Sequence, residues 1–326
     1  MATLTSTTKK QTATEIQDAD KLTPFNAPKY SVTFPRRPKV LPILKELPQW
    51  QKQYSNSKII NGYVRETNSL IKCLHTVTYW NNQTVNIILN TVFSTVYFTL
   101  LLFFTDLYLI PSSPATTMSD YIMVNFYLFG AFQYFALNSI FYLLESHSLA
   151  KCHLWFKLSH LAFINYISTS IITQLYYTFF DNVFYFKFLT ISTLLISSIF
   201  AIFTLSEQFL RKNRSQRNMV SITFIVSLLI LPTASLMFKF NTFRILRRVE
   251  GKAILLELSL YLFSMTLKAV QVPERFSENF DFIGNSENIY HICIILGSLL
   301  HFKMLLNSYF FMHSGLDASN LVTFNV

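Results

Sequence analysis

From about residue 87 onward, apolar residues gather into runs close to 20 residues long, separated by short polar breaks. At 1.5 Å per residue, a helix of that length crosses the ~30 Å hydrocarbon core of a bilayer. The pattern predicts seven such helices, over Ile87 to Ile110, Tyr121 to Leu144, Leu154 to Phe180, Phe184 to Leu205, Val220 to Phe238, Ala253 to Val270 and Ile289 to Phe311. Turn formers and charges mark the breaks, with Pro111 and Pro114 after the first run, Asp181-Asn182 after the third, Arg211 to Arg217 after the fourth, and Pro273 and Gly284 before the seventh. Upstream, Ile59-Ile60, Tyr63-Val64 and Leu70-Ile71-Cys73-Leu74 alternate with polar residues without forming a long run. Residues 47–86 are therefore expected to be an amphipathic segment, with a short helix lying on the membrane surface. Residues 1–46, with Pro24, Pro28, Pro35, Pro38 and the pair Arg36-Arg37, read as a disordered basic tail, and residues 314–326 as a short C-terminal tail. The expected fold class is all-α: a polytopic membrane domain of seven transmembrane helices over residues 87–313.

Composition supports a membrane over water. Charged residues make up 13% of the chain, about half the ~25% of a soluble domain. The net charge of +10 raises the question of nucleic acid. However, 12 of the 27 Lys and Arg residues lie in the first 86 positions and the others mostly flank the apolar runs, so headgroup contact is expected and nucleic acid is not. Their excess falls on segments sharing the side of the N-terminus, which places that terminus in the cytoplasm. The cluster Lys239, Arg244, Arg247, Arg248 and Lys252 runs against this bias. The sequons Asn82-Gln83-Thr84 and Asn213-Arg214-Ser215 would face the cytoplasm and stay unmodified. With no short apolar region and cleavage site at the N-terminus, the first span is expected to direct insertion into the endoplasmic reticulum or plasma membrane. Cys73, Cys152 and Cys293 share no CxxC spacing and read as buried thiols.

No HExxH, P-loop, GxGxxG or GxSxG motif is present. Candidate chemistry therefore rests on polar residues within the runs, which in lipid turn toward the bundle interior. Gln83, Asn86 and Asn90 recur at i, i+3 and i+7 and share one helix face, a pattern suited to interhelical hydrogen bonds. The seventh run opens with Gly284-Asn285-Ser286-Glu287-Asn288-Ile289-Tyr290-His291. Glu287 and His291, at i and i+4, can reach one zinc ion. Equally, Glu287 can complement the helix dipole with Asn285 or Ser286 as N-cap. His147 reads as an interfacial hydrogen bonder, and His301, deeper in the run, as a packed polar contact.

The chain resembles the progestin and adipoQ receptors, the family related to hemolysin III that includes the adiponectin receptors and a fungal zinc-homeostasis branch. The resemblance runs from Leu47 to His313. It is carried by Leu47-Pro48-x-Trp50, Ile60-x-Gly62-Tyr63-Val64-Arg65, Asn82-Gln83-Thr84-Val85-Asn86-Ile87, Ser139-x-Phe141-Tyr142, Ser146-His147-Ser148 and Leu305-Leu306-Asn307-Ser308-Tyr309. It implies seven spans and a cytoplasmic N-terminus. It also implies a zinc ion near the cytoplasmic ends of the spans, held by a histidine in span two and two in span seven, with an aspartate at the start of span three.

Mapped by spacing, those positions here are Tyr142, Glu287, His291 and Ser159. His291 alone matches. Tyr142 offers a phenol ionising near pH ~10, a poor zinc ligand, whereas Glu287 remains able to bind through oxygen. Ser159 cannot orient or deprotonate a metal-bound water as the aspartate would. In span one, Gln83 stands where a glutamate is usual and Asn90 where a histidine is usual.

The resemblance therefore implies a receptor-like membrane protein of zinc and lipid or sterol homeostasis, non-catalytic or weakly catalytic, with membrane lipids and a lipid or protein ligand as partners. The alternative is a zinc-dependent lipid amidohydrolase of the ceramidase kind, with metal at Glu287 and His291. A transporter would show paired charges within the spans, and few occur.

Overall fold

The structure, a computed structural model, describes residues 43–239 and 250–323. Most of the tail expected over residues 1–46 and most of the basic cluster Arg244 to Lys252 lie outside the described residues. The described residues are helical, with no strand among them. Two short helices come first, α1 (Gln49–Tyr54) and α2 (Leu70–His75). A long helix follows, α3 (Thr84–Phe104), extended through a π-helical turn at Thr105–Leu109 to Ser112. Next come α4 (Met118–Leu144), α5 (Leu149–Thr178), α6 (Val183–Leu205) and the short α7 (Glu207–Arg211). The chain closes with α8 (Arg214–Lys239), α9 (Gly251–Val270) and α10 (Ser286–Thr323).

Six of the seven apolar runs each fall within one long helical stretch, because length and hydrophobicity are local properties, and the third, Leu154 to Phe180, overruns the end of α5 at Thr178 by two residues. Five of them, α3, α4, α6, α9 and α10, are long and apolar enough to cross a membrane. Helix α5 is 30 residues long but carries Lys151, Lys157, His160, Asn165 and a run of Ser and Thr, of which Ser168, Thr169, Ser170 and Thr173 are buried inside the bundle. A helix enclosed by protein needs less apolar surface than one facing lipid.

Consecutive long helices pack side by side, and α10 also packs against α3 and α5, which closes the bundle into a ring. In α4 and α10, 56% of the most apolar window is buried, against 17% in α3 and 22% in α6 and α9. The first two are therefore inner helices, and the other three present Leu107, Phe184, Ile202, Leu255 and Phe263 outward. Two glycines set the closest approaches. A Cβ on Gly130 of α4 would overlap Thr169 of α5, and one on Gly297 of α10 would overlap the Tyr261 ring of α9. Small residues at such crossings let helices approach in lipid, where no hydrophobic force pushes them together.

Residues 47–86, expected to carry a short surface helix, include α2, which leaves Leu70, Ile71 and Leu74 exposed. They form α1, α2 and an extended stretch between them that covers one end of the bundle. The covering is made by hydrogen bonds that no hydrophobic pattern encodes. Thr67 N and Asn68 N donate to Ser146 O and His147 O at the turn between α4 and α5. Asn56 Nδ2 donates to Glu274 Oε1 at 2.6 Å. Asp281 Oδ1 accepts from Ile60 N, and its Oδ2 from Asn61 N and Asn61 Nδ2, at 2.8 to 3.0 Å. Removing this buried carboxylate by Asp281→Ala leaves three donors unmatched, a local cost of about 2 kcal/mol. The expected result is faster amide exchange over residues 57–68 with little change elsewhere; uniform exchange along the chain would contradict this clamp.

The seventh helix differs from expectation. It runs on to Thr323 through residues expected to be a tail, because no proline interrupts it.

Candidate functional site

At the covered end, the last turn of α4 meets the first turns of α10 and α3. Asn285 caps α10, its Oδ1 accepting from Glu287 N at 3.1 Å and Asn288 N at 3.0 Å. That cap turns the buried faces of Glu287, Asn288 and His291 into the bundle, where they are 7%, 1% and 0% exposed. The three amides of α3 meet this face. Asn288 Nδ2 donates to Asn86 Oδ1 at 2.8 Å, and Asn86 Nδ2 donates to Gln83 Oε1 at 2.7 Å. Asn90 Nδ2 donates to Asn86 O at 2.8 Å and lies 3.3 Å from His291 Nδ1. On the other side of the ring, His291 Nε2 stands 2.9 Å from Tyr142 Oη.

These contacts fix the state of the imidazole. An amide N–H can only donate, so Nδ1 accepts from Asn90 and Nε2 carries the proton, which it donates to Tyr142. A zinc ligand must present a nitrogen lone pair. In this arrangement neither nitrogen has one to spare, so metal at His291 requires breaking a hydrogen bond to α3 or α4. Among the described residues, moreover, no group of three or more His, Cys, Asp and Glu side chains is placed to hold a metal. The donor set does not fit a family-type zinc ion.

The structure thus joins Tyr142 to His291, one helical turn after Glu287. Ser159 does something else: its hydroxyl donates to Phe156 O in its own helix at 3.0 Å, and it lines a polar cavity of about 50 Å³ with Asn138, His160, Lys268 and Tyr290. A second cavity, of about 30 Å³, lies between the covering segment and the bundle, bounded by Trp50, Tyr54, Gln83, Tyr142 and Glu145. It has room for about two waters. Burial pushes the Tyr54 phenol up to about 12.

The motif pieces at Asn82 to Ile87, at Tyr142 and at Ser146 to Ser148 therefore converge on one end of a helical bundle. A family model described as haemolysin-III related matches residues 78–302. The chain belongs to that family. Among curated haemolysin-III relatives, "ADIPOR-like receptor IZH1" of Eremothecium gossypii is 34% identical over 281 residues, covering 86% of this chain and 88% of that protein. "ADIPOR-like receptor IZH4" of Saccharomyces cerevisiae is 34% identical over 70% of this chain and 75% of its own length. "ADIPOR-like receptor IZH2" of the same yeast is 30% identical over 82% and 84%. With its apolar helices, this haemolysin-III member is an integral, multi-pass membrane protein of the fungal adiponectin-receptor-like branch.

Several polar partners were not foreseen in the sequence. His301, expected as a packed contact, has its Nδ1 3.0 Å from Glu257 Oε2 on α9, both residues buried. Tyrosine hydroxyls pair across helices, Tyr166 with Tyr261 at 2.8 Å and Tyr134 with Tyr290 at 3.1 Å. A charge inside an apolar run was the available signal for Glu257.

The Tyr142 contact is open to test. Tyr142→Phe removes the acceptor from a buried Nε2–H and is expected to cost about 1 to 2 kcal/mol. Thermal unfolding of the detergent-purified variant reads this directly, and an unchanged midpoint would show that the contact carries no stability.

Proposed function

We propose that this chain is an ADIPOR-like membrane protein of zinc and lipid or sterol homeostasis that works as a receptor-type regulator, without hydrolytic turnover at its Tyr142–His291 cluster. The observation that carries the non-catalytic part is the engagement of both His291 nitrogens by Asn90 and Tyr142. A site that must break its own hydrogen bonds to accept metal, and that has Ser159 in place of a carboxylate, is a fastener between α3, α4 and α10. Membership among relatives named ADIPOR-like receptors supports the rest. Deleting the gene in its host should alter zinc tolerance and membrane sterol or sphingolipid content; wild-type values for all of these would refute the reading.

The proposal includes seven spans, with the N-terminus and the covered end in the cytoplasm, as the distribution of Lys and Arg favours. The compartment proposed is the endoplasmic reticulum or plasma membrane. The sequon that begins at the exposed Asn213 lies at the covered end and is expected to remain unglycosylated in cells; a mass shift removed by an endoglycosidase and by Asn213→Gln would reverse the orientation.

A second reading places zinc at Glu287 and His291 for amide hydrolysis. It is favoured by the burial of both residues one turn apart on α10, and turnover decides it.

A further inference from the structure

At the end of the bundle opposite the Tyr142–His291 cluster, three helices bring together a carboxylate, an imidazole and a phenol. Asp120 lies in the first turn of α4, His313 on α10 and Tyr177 in the last turn of α5, and all three are at most 2% exposed. His313 Nε2 stands 3.2 Å from Asp120 Oδ2. The two atoms nevertheless form no hydrogen bond, and among the described residues neither nitrogen of His313 has a hydrogen-bond partner. The Tyr177 side chain lies beside the Asp120 carboxylate, and neither Tyr177 Oη nor Asp120 Oδ1 makes a geometrically sound hydrogen bond among the described residues.

The carboxylate is held in place from behind. Its Oδ2 accepts from Thr117 N at 2.9 Å and from Thr117 Oγ1 at 2.7 Å, in the capping box that starts α4. The Tyr309 ring packs on His313 with centroids 4.4 Å apart. The contrast lies halfway along the bundle, where Glu257 and His301 make an ordinary hydrogen bond. The same two residue types thus meet in two different geometries.

Unmatched polar atoms at this density inside a membrane protein call for an occupant. An imidazole nitrogen and a carboxylate oxygen that each lie about 2.0 to 2.1 Å from one tetrahedral ion stand roughly 3.3 Å apart, with the lone pairs aimed at the ion and not at each other. That is the separation and the absence of hydrogen bonding seen here. Hydrogen bonds from Thr117 to the carboxylate are the kind of outer support that metal ligands receive.

We propose that Asp120 and His313 bind a divalent metal ion of the zinc class, with Tyr177 Oη and solvent completing the coordination. With two strong protein donors the site is open, suited to an exchangeable ion more than to a permanent structural one. It is independent of the Tyr142–His291 cluster and of whether that cluster turns over substrate.

The test uses the full-length protein in detergent, stripped with chelator and titrated with Zn²⁺ alone or Co²⁺ alone. Metal retained after desalting, the metal-dependent rise in unfolding temperature and the Co²⁺ d–d absorption are read together. Expected is retention by the wild type, with affinity lower by roughly tenfold or more in Asp120→Asn and His313→Gln. The paired variant Glu287→Gln/His291→Gln should change it less than about twofold. Because Asp120 also caps α4, His313→Gln carries the test, provided its metal-free helicity matches wild type; Tyr177→Phe, with a smaller loss, supplies a second variant. No metal retained by the wild type, or equal affinity in His313→Gln and Tyr177→Phe, overturns the proposal. So does metal lost only with Glu287 and His291.

Discussion

Replacing Glu257 by alanine should destabilise the bundle by about 3 kcal/mol or more, the cost of removing one partner from a buried carboxylate–imidazole pair. Among the described residues, Glu257 Oε2 is the hydrogen-bond partner of His301 Nδ1 and His301 Nε2 has none. The Tyr127 ring packs on the imidazole, 4.9 Å away between centroids. The unfolding midpoint of the purified variant should fall by on the order of 10 °C. The double variant Glu257→Leu/His301→Leu should regain most of that fall, since a buried pair exchanged for packed apolar residues is often neutral. If Glu257→Ala alone leaves the midpoint unchanged, the pair does not hold α9 to α10.

A comparable loss is expected at Gly297. A Cβ there would overlap Tyr261 Cε1 and crowd Cζ, and this ring cannot move freely because its hydroxyl is paired with Tyr166 inside the bundle. Overpacking ordinarily costs about 1 to 3 kcal/mol. Here the obstacle is a locked ring at a helix crossing, so Gly297→Val is placed at the upper end, with loss of monodisperse protein on gel filtration. Shrinking the neighbour should rescue it: Gly297→Ala/Tyr261→Leu is expected to be more stable than Gly297→Ala. Equal stability of Gly297→Val and wild type would mean that α9 and α10 do not approach as closely as described.

The extents of α6 and α9 could be read from the sequence because a run of apolar residues reports on its own surroundings. The run from Phe184 to Leu205 became Val183–Leu205, and that from Ala253 to Val270 became Gly251–Val270. The residues that meet could not be read in the same way. Asn86 and Asn288 are 202 positions apart and bond only because α10 closes the ring against α3. Asp120 and His313 are joined by the same closure.

The anchors of the covering segment were illegible for a different reason: they are backbone groups bonding to Ser146, His147 and Asp281, and side-chain pattern says nothing of those. At the candidate site, spacing was enough to align Glu287 with His291 on one face. That Tyr142 and Asn90 occupy the imidazole from both sides needed three dimensions.

The central claim is that the family's zinc position has become a hydrogen-bonded fastener in this chain. It is tested most directly by incubating the purified full-length protein with a ceramide and zinc and measuring released fatty acid. The account predicts a rate no higher than that of heat-denatured protein, and no change in Glu287→Ala. Turnover that depends on zinc and disappears in Glu287→Ala would contradict it.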